Sequence, residues 1–136
     1  MTHALRLAHA VAAAVFGIAF TLPSLAADTN TTGLPTYPHE NGGRMDATYR
    51  SLPNGQHCIQ YQADTPDALA EVEAWYRKQM PNAKIDDVNK NSLYGSYFKL
   101  DGIKLLLGND IVNIYRMANQ KTTSIEMFKC RDAPHA

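Results

Sequence analysis

The strongest periodic pattern in the chain is helical and lies between residues 65 and 80. Apolar side chains recur there at spacings of three and four residues, as on one buried helix face, at Leu69, Val72, Tyr76 and Met80. Thr65 offers a hydroxyl for an N-cap, and Pro66 fits the first helical position, where no backbone N–H is needed. The sequence therefore predicts one amphipathic helix over 65–80, with Trp75 widening its apolar face.

Segments with strand character lie on both sides of this helix. The predicted strands, two before the helix and four after it, cover residues 45–52, 56–62, 93–100, 103–107, 111–117 and 123–130. Tight turns are predicted at Pro53-Asn54-Gly55, Asp101-Gly102 and Gly108-Asn109-Asp110. Residues 83–92 are predicted to form an extended link with a poorly defined strand. Strand runs with one segregated helix indicate an α+β fold, an antiparallel sheet of about five or six strands with the helix packed on one face.

The N-terminal residues have the pattern of a secretory signal peptide. An apolar run over residues 7–22 is followed by small residues at Ser24 and Ala26, as at a cleavage site. An uncleaved anchor is the alternative, but the run is shorter than the roughly 20 residues that span a bilayer. The predicted divisions are signal peptide, flexible leader, single α+β domain and tail, at residues 1–26, 27–43, 44–132 and 133–136. Leu34 and Tyr37 offer apolar side chains by which the second half of the leader can dock.

Export predicts a periplasmic or secreted protein with no membrane span after cleavage. Of the thirteen basic residues in the chain, one, Arg6, lies in the signal peptide, so twelve face thirteen acidic ones in the remainder. Balanced, scattered charge is typical of a solvated surface and argues against a nucleic-acid partner, which favours a basic face.

The chain has two cysteines, Cys58 and Cys130. In an oxidising compartment two cysteines of a small exported domain usually pair, so we predict a disulfide between them. The alternative is a reactive thiol at Cys58, but its neighbour His57 would point to the opposite face of a strand and is badly placed as a base. The sequence does not decide which face of the strand over 56–62 is buried, because Cys58 and Ile59 point to opposite faces and both suit a core.

The helix opens with Thr-Pro-Asp and ends with Val-Glu-Ala-Trp-Tyr, after a strand and before a strand meander. In this it resembles a recurring domain of small exported bacterial proteins of unknown function. The resemblance covers about residues 56–117 and is carried by Thr65, Asp67, Val72, Trp75 and Tyr76. It implies the same fold and export, and it brings no catalytic residues.

Motifs for catalysis or metal binding are weak in this chain. The histidines after the signal peptide, at His39, His57 and His135, have no ligand spacing. Asp87, Asn89 and Asn91 match the first positions of a calcium loop, but its glycine and its acidic twelfth ligand are missing. No nucleophile elbow or phosphate loop is present in the sequence. We therefore expect no metal, no cofactor and no catalytic residues.

Binding is the remaining class of function. Large aromatic side chains with polar tips favour interfaces, and they cluster on the predicted meander at Tyr94, Tyr97, Phe98 and Tyr115. The alternative is that part of this set belongs to the core. The leading hypothesis is a non-enzymatic cell-envelope binding protein, such as an inhibitor or immunity-type partner of another exported protein. The other hypotheses are a small-molecule or lipid-binding module with a pocket between helix and sheet, and a weak carboxylate-dependent hydrolase.

Overall fold

A computed structural model describes residues 26–90 and 99–131. These ranges form, in chain order, β1 (Gly43–Ser51), β2 (His57–Thr65), α1 (Leu69–Gln79), β3 (Lys84–Asp87), β4 (Leu100–Leu107), β5 (Asp110–Met117) and β6 (Thr123–Arg131). The six strands make one antiparallel sheet in the order β1-β2-β6-β5-β4-β3. The helix packs against β4 and β5. The predicted α+β fold is confirmed.

Several predicted segments lie outside the described residues. They are almost all of the signal peptide, the whole of the tail and most of the predicted strand over 93–100. Within the described ranges, no helix has the length and apolar character needed to cross a bilayer.

The last strand of the chain returns to the middle of the sheet. β6 pairs with β2 over its whole length, from the pair His57–Arg131 to the pair Thr65–Thr123. Cys58 and Cys130 are directly opposite each other in this ladder, with Cα atoms 4.1 Å apart, and they form a disulfide. The predicted bridge is confirmed, and it links the part of the chain before the helix to the part after it.

The helix begins three residues later than its sequence pattern predicts. Thr65 is the last residue of β2, paired with Thr123, and Ala68 is the N-cap of α1, without a side-chain capping bond. The Thr65 hydroxyl instead donates to the His39 carbonyl at 2.9 Å and accepts a hydrogen bond from the Asp67 N–H at 3.3 Å. Thr65 suits both a helix cap and a strand end. Because it pairs with Thr123 in the sheet, its hydroxyl caps the turn before the helix and not the helix itself.

The predicted turn at Asp101-Gly102 is wrong, since both residues lie inside β4. Gly102 pairs with Tyr115 of β5, and a Cβ placed on it would stand 2.0 Å from the Ile114 carbonyl oxygen. The glycine therefore allows a close approach of two strands rather than a reversal. The reversal comes at Gly108-Asn109, where the left-handed Gly108 (φ 60°) helps to close the β4–β5 hairpin.

Residues 28–42, which we call the N-terminal strap and which fall in the predicted flexible leader, are fixed to the core by a few buried side chains. Leu34 and Tyr37 are 8% and 3% exposed and pack in the main cluster. The Tyr76 hydroxyl donates to the Pro35 carbonyl at 3.0 Å, and the Asn41 N–H donates to the Asp64 carbonyl at 2.7 Å. The strap has no apolar period because single side chains, rather than a repeating face, are buried.

Both faces of the sheet carry buried side chains, and β2 contributes to both. Ile59 and Tyr61 are buried on the face that carries α1 and the strap, and Cys58 is buried on the opposite face. The first face holds the main core, whose fully buried members are Tyr61, Val72, Tyr76, Leu105, Val112, Ile114, Ile125 and Met127. We call the other face the outer face.

Candidate functional site

A row of polar residues, one from each strand, crosses the outer face. In sheet order from β1 to β3, the register pairs join Arg44, Gln62, Glu126, Asn113, Lys104 and Asp86. We call these six residues the polar row. Its side chains point away from the helix, since the residues that flank Asn113, Val112 and Ile114, are fully buried in the main core. Opposed Cβ atoms of neighbouring strands lie about 5 Å apart, so the row is contiguous.

The middle of the polar row is buried. Glu126 is 1% exposed, and Asn113 and Lys104 are each 7% exposed. Charged and amide groups enter a protein interior only when partners compensate for the lost water. A central sheet strand normally places apolar residues at such positions, so these three side chains require a specific explanation.

Hydrogen bonds satisfy most of the central groups. The Gln60 amide donates to Glu126 Oε1 at 2.7 Å, and Asn113 Nδ2 donates to Glu126 Oε2 at 3.3 Å. Lys104 Nζ donates to the Lys90 carbonyl at 2.6 Å. Asn113 Oδ1, however, is buried and has no hydrogen-bond partner in the described part of the chain. The network therefore leaves one acceptor unused.

The electrostatics of this region are dominated by burial of an ammonium group. Burial lowers the pKa of Lys104 below its usual value, and the negative charges of Asp86, Asp87 and Glu126 act in the opposite direction. These three carboxylates keep the Lys104 ammonium group from being an isolated buried cation.

A cavity of about 160 Å³ opens at the Lys104 end of the polar row. Its polar and apolar lining comes from β3, β4 and β5, from the β1–β2 and β4–β5 turns and from the turn after β3. The lining residues are Asn54, Gln56, Asp86, Lys90, Lys104, Leu106, Gly108, Asn109, Ile111 and Asn113. A closed cavity of about 150 Å³ is large enough for a benzene-sized molecule. Asn113, whose amide oxygen is unpaired, thus belongs to the lining of a space that can hold a small ligand.

Apolar clusters border the polar row on both sides. On one side Cys58, Cys130, Ile111 and Phe128 pack together around the disulfide. On the other, Tyr115 is 7% exposed and packs with Val88 and Leu100. Of the four predicted binding residues, Tyr115 is buried and therefore does not form an exposed binding surface. The other three, Tyr94, Tyr97 and Phe98, lie outside the described residues.

A second polar cluster joins the strap to the start of α1. Asp67 Oδ2 accepts hydrogen bonds from the Tyr37 hydroxyl at 2.6 Å and lies 2.8 Å from His39 Nδ1. These bonds, the one from Tyr37 first, lower the pKa of Asp67, whereas burial raises that of Tyr37. Ligand atoms of His39, Asp67 and Glu71 all lie within 4.8 Å of one another. Because Asp67 is already hydrogen-bonded within the protein, we assign the cluster a structural role in fixing the strap.

The polar row has a trace in the sequence, since two of its members interrupt apolar strand segments. Asn113 interrupts the apolar run over 111–115, and Glu126 interrupts the run over 125–128. A polar residue inside a strand with apolar residues on both sides is expected on an exposed face. Only the pairing of β4, β5 and β6 shows that these residues and Lys104 meet in one buried place.

Comparison of the chain with protein-family models, with curated proteins and with solved structures finds no match. The resemblance to small exported bacterial domains therefore stays a prediction. A functional hypothesis for this protein has to be built on the geometry of its own residues, and the polar row with its adjoining cavity is the feature of the described chain that most resembles a binding site.

Proposed function

We propose that this protein is a non-enzymatic exported binding protein that takes a small molecule into the cavity beside the polar row. The observation that carries the proposal is Asn113, whose Oδ1 is buried without a partner while its side chain lines the cavity. Burying such an atom without a partner lowers the free energy of unfolding by about 1–3 kcal/mol. Native proteins hold few of them, and each calls for an explanation such as an unseen ligand or water.

The position of the cavity differs from the pocket expected between helix and sheet. At that interface Val72, Tyr76 and Leu105 have no exposure, so their side chains fill the space. The outer face instead combines open volume with charged and amide groups, which orient a bound molecule in most small-molecule sites. The small-molecule hypothesis therefore applies to the outer face.

The disulfide supports an exported setting for this activity. The disulfide between Cys58 and Cys130 is compatible with an oxidising compartment, where such bridges persist. An exported binding protein would meet its ligand outside the cytoplasm.

Two matched tryptophan variants test the proposal. Leu106 lines the cavity, whereas the next residue, Leu107, points to the other face and is 41% exposed. The mature protein is purified from its native envelope and examined by native mass spectrometry for a retained small molecule. It is then screened by thermal unfolding against small metabolites. A ligand at one hundred times its Kd should raise the Tm by about 10–20 °C.

Leu106→Trp should abolish the retained mass and the rise in Tm, and Leu107→Trp should keep both. The proposal fails if no compound raises the Tm of the unmodified protein and no small molecule is retained. It also fails if a ligand is found whose binding Leu106→Trp leaves unchanged, because the ligand would then lie elsewhere.

A protein partner is the second candidate, favoured by the edge of β1. At the free edge of β1, Asp28 of the strap bridges to Gly43 and accepts a hydrogen bond from the Met45 N–H, but no described strand pairs with this edge. Tyr49 on this strand is 39% exposed, with the Arg131 guanidinium 4.0 Å from its ring centre. An edge strand can accept a strand from another protein. Affinity capture from envelope extract tests this candidate, with the unmodified protein compared with Tyr49→Ser and with a variant in which Tyr94 and Tyr97 are both changed to Ser. A protein that is enriched by the unmodified protein and lost with either variant supports it.

A further inference from the structure

The geometry points to a ligand class for the cavity: a small zwitterion of the α-amino-acid type, with its ammonium group toward Asn113 and Asp86 and its carboxylate toward Lys90 and Lys104. This inference rests on the proposed function. It follows from the kinds of hydrogen-bonding groups in the lining, from their charges and from the volume.

The unpaired oxygen requires a donor. The orientation of the Asn113 amide is fixed because its Nδ2 donates to Glu126, so the atom left over is the acceptor Oδ1. Asp86 adds a carboxylate whose side chain is 18% exposed in the same lining. An ammonium group carries three donors and a positive charge, and it can serve both acceptors at once.

The same cavity also presents cations. The Lys90 side chain is 58% exposed, and its Nζ lies 3.4 Å from Asp86 Oδ1. The Lys104 ammonium group is held in place by its hydrogen bond to the Lys90 carbonyl. A ligand carboxylate between these lysines would stabilise the charged form of Lys104, whose pKa burial lowers. A ligand with only an amine would make no ion pair with either lysine.

The size of the cavity limits the class to its small members. About 160 Å³ is close to the volume that accepts a benzene-sized molecule, so alanine or serine fits whereas tryptophan does not. Leu106 and Ile111 supply an apolar wall for a short side chain.

The test compares a whole zwitterion with its halves. Binding of L-alanine, sodium acetate, methylamine hydrochloride and glycerol to the mature protein is measured by calorimetry and thermal unfolding at constant ionic strength. We expect L-alanine to bind and raise the Tm, and each half-molecule and glycerol to bind at least about tenfold more weakly, since a charge-assisted hydrogen bond contributes about that factor.

Variants at the mouth of the cavity complete the design. Lys90→Ala and Asp86→Asn should each weaken L-alanine binding about tenfold, and neither removes a buried side chain that the fold depends on. Lys78→Ala is the matched control, because Lys78 is exposed near the end of α1, on the other side of the sheet. It should bind as the unmodified protein does.

The outcomes separate the ligand class from the proposed function. If acetate, methylamine or glycerol binds as well as L-alanine and Leu106→Trp abolishes that binding, the cavity is a binding site and the zwitterion class is wrong. If L-alanine binds equally well to Lys90→Ala and Asp86→Asn, the inferred contacts are wrong. If nothing binds and no small molecule is retained on purification, both the class and the proposed function are overturned.

Discussion

Removal of the disulfide is the change whose effect can be worked out most directly. We expect the double variant Cys58→Ala, Cys130→Ala to lose about 4 kcal/mol of unfolding free energy. The two cysteines are 72 positions apart and link neighbouring strands in the middle of the sheet. In the chain-entropy model a 15-residue loop gives about 3 kcal/mol and a 100-residue loop about 4.7 kcal/mol. Domains are commonly stable by only about 5–15 kcal/mol, so this loss would bring the protein close to unfolding.

Equilibrium unfolding in urea, followed by the fluorescence of the single tryptophan, measures this loss. The wild-type protein reduced with dithiothreitol is the control, since it keeps both cysteine side chains in the buried cluster with Phe128. Both forms should show a lower midpoint, and the slope m should rise because the unbridged unfolded chain exposes more surface. A loss below about 1 kcal/mol in the reduced protein would refute the loop-entropy account.

Two further changes test the strap. Leu34→Ala should cost about 2–5 kcal/mol in urea unfolding because it empties a core position, whereas Leu107→Ala, at a 41% exposed position, should cost much less; equal small effects would mean that the strap is not part of the core. Burial raises the pKa of Glu40, and its Oε2 has no partner among the described residues. A raised carboxyl pKa means that stability is present below the unfolded-state value of 4.5 and is lost as the pH rises through the folded-state value. Glu40→Gln should therefore stabilise the protein by about 1 kcal/mol at pH 7 and have a smaller effect at pH 4; an effect that does not vary with pH would contradict this assignment.

The candidate site was much less predictable from sequence than the fold. Its residues come from separate strands and from two turns, and each by itself looks like an ordinary polar strand or turn residue. Tyr94, Tyr97 and Phe98 stand out in the sequence because they are large aromatic residues, whereas Asn113 and Glu126 stand out only once their burial is known.

The sequence alone determined what depends on local patterns and on composition. Helical spacing at Val72 and Tyr76 and alternation in the strands were sufficient for an α+β fold, because the 3.6-residue and two-residue periods reflect which face of an element is buried. Two cysteines with a predicted export signal were sufficient to predict the disulfide. The beginning of α1 was less certain, because Thr65 suits both a cap and a strand end.

Only the tertiary structure decided how distant residues meet. β6 lies between β2 and β5, and this order, which no local pattern encodes, places Glu126 beside Asn113 and Cys130 beside Cys58. The burial of Leu34 and Tyr37 likewise depends on the surface that the folded sheet and helix offer to the strap. The physical reason is that register and burial are set by the whole sheet at once, whereas periodicity is set by a few neighbouring residues.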